Sequence, residues 1–244
     1  MAEPARRVAI VGSGRMGRAL TAAMPDWEGP FGRGFDGTLP DGATADVVLL
    51  AVPDGEISRA AACVRGGPLV GHTAGALGLE VLAPHECFAV HPLMTVPLTG
   101  ADLRGAGAAV AGSSERSRAL AFEIARLLGM EPFEIADADR AAYHASASIA
   151  SNFLVTLEDA AEQLLATTGS DRRLLLPLVR AALDNWAEHG GERALTGPIA
   201  RGDEATVQRQ RAAVAERTPE LLAWFDQMCA RTRALAARSA GRRH

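Results

Sequence analysis

The chain has 244 residues and a mass of 25.5 kDa, enough for two domains of ordinary size. Hydrophobic residues make up 48% and charged residues 22%, a balance that supports a buried core and excludes a disordered chain. The formal net charge of −4 comes with no basic block, which excludes nucleic acid as the main partner, and no apolar run approaches membrane-spanning length.

Residues 1–7 lack the apolar stretch of a signal peptide, so a cytoplasmic location is expected. Cys63, Cys87 and Cys229 are odd in number and far apart, which fits reduced thiols rather than a disulfide framework. The sequence contains no lysine, so chemistry that needs a lysine acid or Schiff base is excluded.

Arg7 to Val11 reads as a buried strand, followed at once by Gly12-Ser13-Gly14-Arg15-Met16-Gly17 and a helix through Leu20. Strand, glycine loop and helix in that order make a dinucleotide-binding fingerprint, with a turn that binds nothing as the plain alternative. Gly12 permits the tight turn, Gly14 lets backbone approach a pyrophosphate, and Gly17 lets helix and strand pack closely. Ser13, Arg15 and Met16 complete the cradle, and the free N–H groups of the helix start face the anion. A second strand is expected to end near Gly32. An acidic residue there would bind the ribose of NAD, whereas Arg33 favours the extra phosphate of NADP. Asp36 lies three residues on and keeps NAD open, and a solvated surface arginine is the alternative for Arg33.

Asp46–Val52, Pro68–Gly71, Cys87–Val90 and Ala108–Ala111 read as further buried strands, with Glu131–Ile135 as a candidate addition. Helical segments alternate with them, which predicts a parallel sheet with helical crossovers, an α/β domain. Ligands bind beyond the carboxyl ends of such strands, so Val52, Pro53 and Thr73 are expected to border the cofactor. Asp54 could join them or cap a helix from Gly55 onward. His72 and His91 also follow strand ends, and Pro92 holds the chain extended beside His91. Each is a structural histidine or, together with His144, part of a set able to donate a proton near neutral pH. No metal-ligand spacing connects them, so no metal site is expected.

After Ala136 the strand signals cease, giving a dinucleotide-binding domain over residues 1–136 and an all-helical domain over 137–244. Asp137 to about Thr168 reads as one long helix, followed by helices near Arg172–Glu188, Asp203–Glu216 and Pro219–Ala237 and a frayed tail over Ser239–His244. His144, Ser148 and Asn152, spaced i, i+4 and i+8 with Ser151 beside them, form a polar stripe that is solvent-exposed or lines a cleft between the domains. The loop Leu195–Asp203 offers Arg201 as a bidentate carboxylate ligand or a structural residue, and Asp203 as a helix cap.

The glycine loop, Ala51-Val-Pro-Asp54, Gly71-His-Thr-Ala-Gly75, Val90-His-Pro-Leu93, Ala150-Ser-Asn152 and Leu195–Asp203 together resemble one family over essentially the whole chain. Its members are two-domain oxidoreductases that join a Rossmann-like domain to a helical domain of unknown function, and the likeness is greatest to the actinobacterial ones. The resemblance implies a fold similar to 6-phosphogluconate dehydrogenase and ketopantoate reductase, with a homodimer formed through the helical domain. Those relatives carry a lysine and an asparagine four residues apart, and Ser148 and Asn152 fall on that pair with the lysine absent. Asn152 and Ser148 are then expected to bond the reacting oxygen. His91, which with Pro92 resembles the catalytic step of prephenate dehydrogenases, becomes the proton donor, aided by His72 or His144. Gene neighbours of family members point to ketopantoate. The expectation is an NADPH-dependent reductase of a small carbonyl or imine substrate, with NAD as a second cofactor. A nucleotide-binding regulator or scaffold without catalysis is the alternative, and hydride exchange with a deazaflavin is a third reading.

Overall fold

The computed structural model describes residues 6–241, the last three in backbone alone, and the chain divides into two compact units, Met1–Ser151 and Asn152–His244. Residues 242–244 of the expected frayed tail lie outside the described residues, while 239–241 continue the last helix.

In the first unit, short runs of β-branched and aliphatic residues between glycines, prolines and polar turns form strands, because such side chains pack well on a pleat buried on both faces. Among the described residues these are β1 (Val8–Val11), β2 (Glu28–Phe31), β3 (Val47–Leu50), β4 (Leu69–His72), β5 (Cys87–Pro92), β6 (Gly107–Gly112) and β7 (Glu131–Glu134). They form one sheet in the order β2-β1-β3-β4-β5-β6-β7. Helices α1 (Arg15–Ala23), α2 (Ile57–Cys63) and α3 (Glu115–Leu127) cover it, and Ser114 and Ser117 close a capping box at the start of α3.

The pairing is parallel from β2 through β5, with Val8 opposite Val47, Leu50 opposite His72 and His72 opposite Ala89. The expectation of parallel strands fails at one place: β6 runs antiparallel to β5, with Phe88 opposite Gly112 and Pro92 opposite Ala108. A parallel return needs a crossover, usually a helix, and residues 93–106 form none, so the chain comes back beside the strand it left. Alternate residues feed two cores. Ile10, Leu49, Phe88 and Val110 pack with Leu120 and Ile124 of α3, while Val11, Leu50 and Val70 pack with Ile57 and Ala61 of α2. From β1 the chain goes outward to β2 and returns to β3 on the other side of β1. Ligands of open α/β sheets bind at the carboxyl ends of the strands at such a reversal.

The single helix expected over Asp137–Thr168 is broken into parts. A 3-10 turn (Asp137–Asp139) leads into α4 (Arg140–Ser148), a π-helical turn (Ile149–Phe153) and α5 (Leu154–Ala166). A π turn takes one more residue per hydrogen bond than an α turn, and such turns are frequent at functional positions. The boundary between the two units falls inside it.

The second unit continues with α6 (Leu176–His189), α7 (Gly191–Ala194), α8 (Glu204–Arg217) and α9 (Leu222–Gly241). Asp203 caps α8 by accepting from Thr206 N at 3.0 Å. Arg211 of α8 pairs bidentately with Asp226 of α9, both contacts at 2.8 Å, and Arg233 pairs with Glu204. A cavity of about 360 Å³ lies among Leu157, Leu164, Ile199, Val214, Trp224 and Phe225. Phe153, Val155, Leu174, Leu178 and Trp186 leave large apolar side chains exposed. Among the described residues no helix is long and apolar enough to cross a membrane.

Candidate functional site

The loop from β1 into α1 is built around its glycines. Gly12 has φ +112°, and a Cβ on it would stand 2.4 Å from the carbonyl oxygen of Ala51, just past β3. A Cβ on Gly17 would stand 1.7 Å from the oxygen of Gly12, so helix and strand close on each other only because both residues are glycine. Gly14 differs: nothing lies within 4 Å of where its Cβ would be. It occupies the N-cap of α1 with no side-chain cap, and the first turn holds no acidic residue. Ser13, Gly14 and Arg15 are exposed, Met16 is half-buried, and the Arg18 guanidinium donates to Ser13 O at 2.8 Å. Bare backbone donors at a helix start, with open space before them and cations beside them, fit a dinucleotide's paired phosphates.

Val52 is buried and Pro53 exposed beyond β3, and the Thr73 N–H donates to Leu50 O at 3.2 Å beyond β4. Both segments therefore end at the sheet edge that holds the glycine loop. Asp54 is not a helix cap. It is the first residue of a 3-10 turn whose N-cap is Pro53, and its side chain makes no capping bond, because the turn starts one residue early. Arg33 is exposed just past β2 and pairs with Glu56 at 3.2 Å, an acid shared with Arg59. Asp36 is occupied elsewhere, accepting from Thr38 N at 2.9 Å and pairing with Arg65 at 2.8 Å.

Two of the three histidines meet on one helix face, and the third turns inward. His72, ending β4, is fully buried; its Nδ1 accepts from Ala74 N at 3.1 Å and its Nε2–H donates to Gly78 O at 3.1 Å. Both nitrogens hold its own loop, and burial pushes its pKa below the usual histidine value. His91 is half-buried near the end of β5, with Nδ1 2.7 Å from the hydroxyl of Tyr143 on α4. The rings meet edge to face with centroids 5.5 Å apart, and the exposed His144 ring lies at 6.3 Å. Burial first, then the neighbouring positive groups, hold His91 down at about 4. Burial pushes Tyr143 up, so it keeps its proton.

Tyr143 is the main addition to the residues read from sequence. It is the chain's only tyrosine and sits beside His144 in the polar stripe, the one signal that could have singled it out. Ser148 is half-buried in the last turn of α4, and Ser151 shares a 2.7 Å hydrogen bond with Thr95. Asn152 is exposed in the π turn, its carbonyl accepting from Thr156 Oγ1. Arg201 is exposed in the turns before α8. These last two belong to the second unit, the others to the first.

No curated protein matches the chain. Among solved structures, a Thermotoga maritima protein superposes with a TM-score of 0.81 at 22% identity, covering 94% of this chain and 99% of that one. A candidate NADP oxidoreductase of Bacteroides fragilis gives 0.79 at 18%, covering 94% and 98%. A reductive aminase of Aspergillus terreus, in complex with NADPH and ethyl levulinate, gives 0.66 at 15%, covering 93% of each. At these identities the likeness is one of fold. A Rossmann-like domain model matches residues 38–97, in keeping with the α/β sheet described above. The model of a domain of unknown function, DUF2520, matches residues 107–232, more than half of the sequence, and the chain belongs to the DUF2520 family.

Proposed function

We propose that the chain is an NADPH-dependent reductase of a small carbonyl or imine compound, with NADH the weaker cofactor. One observation carries this reading: a single sheet edge holds both a glycine loop that opens into an uncapped helix start and a half-buried histidine bonded to a tyrosine. In the proposal the backbone of Gly12 to Gly17 cradles the diphosphate, Val52, Pro53 and Thr73 border the nucleotide, and Arg33 with Arg59 takes the 2′-phosphate in place of Glu56. Bound NADPH would supply the hydride.

The chain's own contribution is a neutral donor for the substrate oxygen. Tyr143, held protonated, donates to His91 Nδ1, which leaves the Nε2–H of an uncharged imidazole for the oxygen that gains charge. A donor of that kind is worth about 10²–10³ in turnover. The proton that completes the alcohol reaches the oxygen from water by way of His91. Ser148 and His144 stand on the helix of Tyr143 and assist, while His72, with both nitrogens occupied, supports the loop instead. For Asn152 and Arg201 the roles rest on the family resemblance, and alanine variants test them. The exposed apolar side chains of the second unit support a homodimer face; a one-chain mass in light scattering removes it.

Calorimetry with NADPH and NADH, followed by turnover with ketopantoate and 1-pyrroline, tests the reading. Wild type is expected to bind NADPH more tightly, Arg33→Ala to lose NADPH affinity more than NADH affinity, and His91→Ala and Tyr143→Phe to lose turnover with binding kept. No heat with either nucleotide overturns the reductase. Binding without turnover selects the second reading, a nucleotide-binding regulator or scaffold, which the absence of lysine favours.

A further inference from the structure

The first unit buries one charge that the reading above does not use. Arg140 opens α4, three residues before Tyr143 and four before His144, so the three side chains share a helix face. Its side chain is 4% exposed, and its Nε donates to Asp137 at 2.7 Å, but that carboxylate is 70% exposed. Arg140 Nη2 is buried with no hydrogen-bond partner among the described residues. A guanidinium taken out of water and matched on one side only is stabilised by any negative charge that settles nearby and destabilised by any further positive one.

That charge is felt at His91. Among the described residues, the titratable and charged groups that act on His91 are His144, His72, Arg140 and the Tyr143 hydroxyl, and none of them is a carboxylate. The acids Asp54 and Glu80 act on His72 instead. Where the substrate oxygen meets His91, the surroundings therefore offer two histidines, a tyrosine hydroxyl and one incompletely matched guanidinium.

We propose that Arg140 makes this site select substrates that carry or develop negative charge, the 2-oxo acid class, and turn away cationic iminium compounds. The proposal rests on the reductase reading of the same site and chooses between its two substrate classes. A carboxylate or a developing alkoxide supplies the charge that Arg140 lacks, whereas an iminium adds a second cation in a setting of low dielectric.

The test uses the full chain, with and without NADPH, and three probes: 2-oxoisovalerate, its uncharged amide, and 1-pyrroline, which is cationic when protonated. Affinities come from calorimetry and from the His91 ring signals in NMR. Wild type is expected to prefer the acid over the amide by about tenfold or more and to bind 1-pyrroline least. In Arg140→Gln, acid and amide should fall within about threefold of each other and the His91 midpoint should rise, with NADPH affinity kept within about twofold. Arg140→Lys keeps the charge and should keep most of the preference. It also decides the matter, alongside the wild-type comparison, if Arg140→Gln does not fold. Equal affinity for acid and amide, preference for 1-pyrroline, or a preference that survives Arg140→Gln and disappears in Arg201→Gln each overturns the proposal. If the protein takes no nucleotide yet prefers the acid through Arg140, the reductase falls and the selectivity stands.

Discussion

His72 and His91 close neighbouring strands, yet the backbone claims both nitrogens of the first and neither of the second. The ring of His91 is placed from two sides, by the Tyr143 hydroxyl and by the absence of a side chain at Gly75. A Cβ there would stand 2.7 Å from both Cε1 and Nε2 of the imidazole. Gly75→Ala is therefore expected to push the ring off Tyr143 and to lower turnover by about 10²-fold, the scale of a misplacement of about 1 Å, while NADPH affinity stays level. Steady-state kinetics beside nucleotide titration checks this; wild-type turnover in Gly75→Ala would show that the ring position does not matter. Both histidines were legible in the sequence because each follows a strand-like run. Their divergence was not, nor were Tyr143 and Arg140, since a contact between residues 91 and 143 leaves no periodic trace along the chain. At Gly12 and Gly17 the local pattern sufficed, because the tight turn and the close packing of helix on strand each require the same missing Cβ.

Strands fared better than directions. The apolar runs that became β1, β3, β4, β5 and β6 are legible because a buried strand is a short hydrophobic stretch between breakers, but such a run does not encode which way it points, and β6 proved antiparallel. The π turn is a similar case, since the same alanine- and serine-rich residues satisfy i, i+4 bonding and i, i+5 bonding. Within the sheet, the fit between β4 and β5 is set by Gly71, where a Cβ would lie 2.3 to 2.7 Å from the Phe88 ring. Phe88 is fully buried between layers and has nowhere to go. Gly71→Ala is expected to cost about 1–3 kcal/mol by overpacking. Gly66→Ala, where nothing lies within 4 Å, is the control and should stay within about 0.5 kcal/mol of wild type. Urea unfolding of the two variants decides it, and equal midpoints would mean that the sheet relaxes around Phe88.

Placing His91 in a half-buried cluster of positive and neutral groups also sets how the folded molecule responds to acid. Its pKa is about 4 in the folded chain and about 6.5 once unfolded. Between those values the unfolded chain binds a proton that the folded chain refuses, so stability falls as pH drops from about 6.5 toward about 4 and levels off below. A gap of that size corresponds to roughly 3 kcal/mol, and His72, shifted in the same direction by burial, adds to it. Exposed carboxylates act in a separate window. Asp102, held at about 2 by Arg104, gives up its contribution only as pH falls from its ordinary 3.8 through that value. Unfolding of wild type and His91→Gln followed by circular dichroism at pH 7.5, 6.0, 5.0 and 4.5 separates these causes. The wild-type curve should lose stability steeply across the histidine window, and the variant should lose distinctly less, because removing the imidazole removes the proton that the unfolded state gains. Two parallel curves would mean that the acid response belongs to groups other than His91, and that its ring is not held neutral by the surroundings described here.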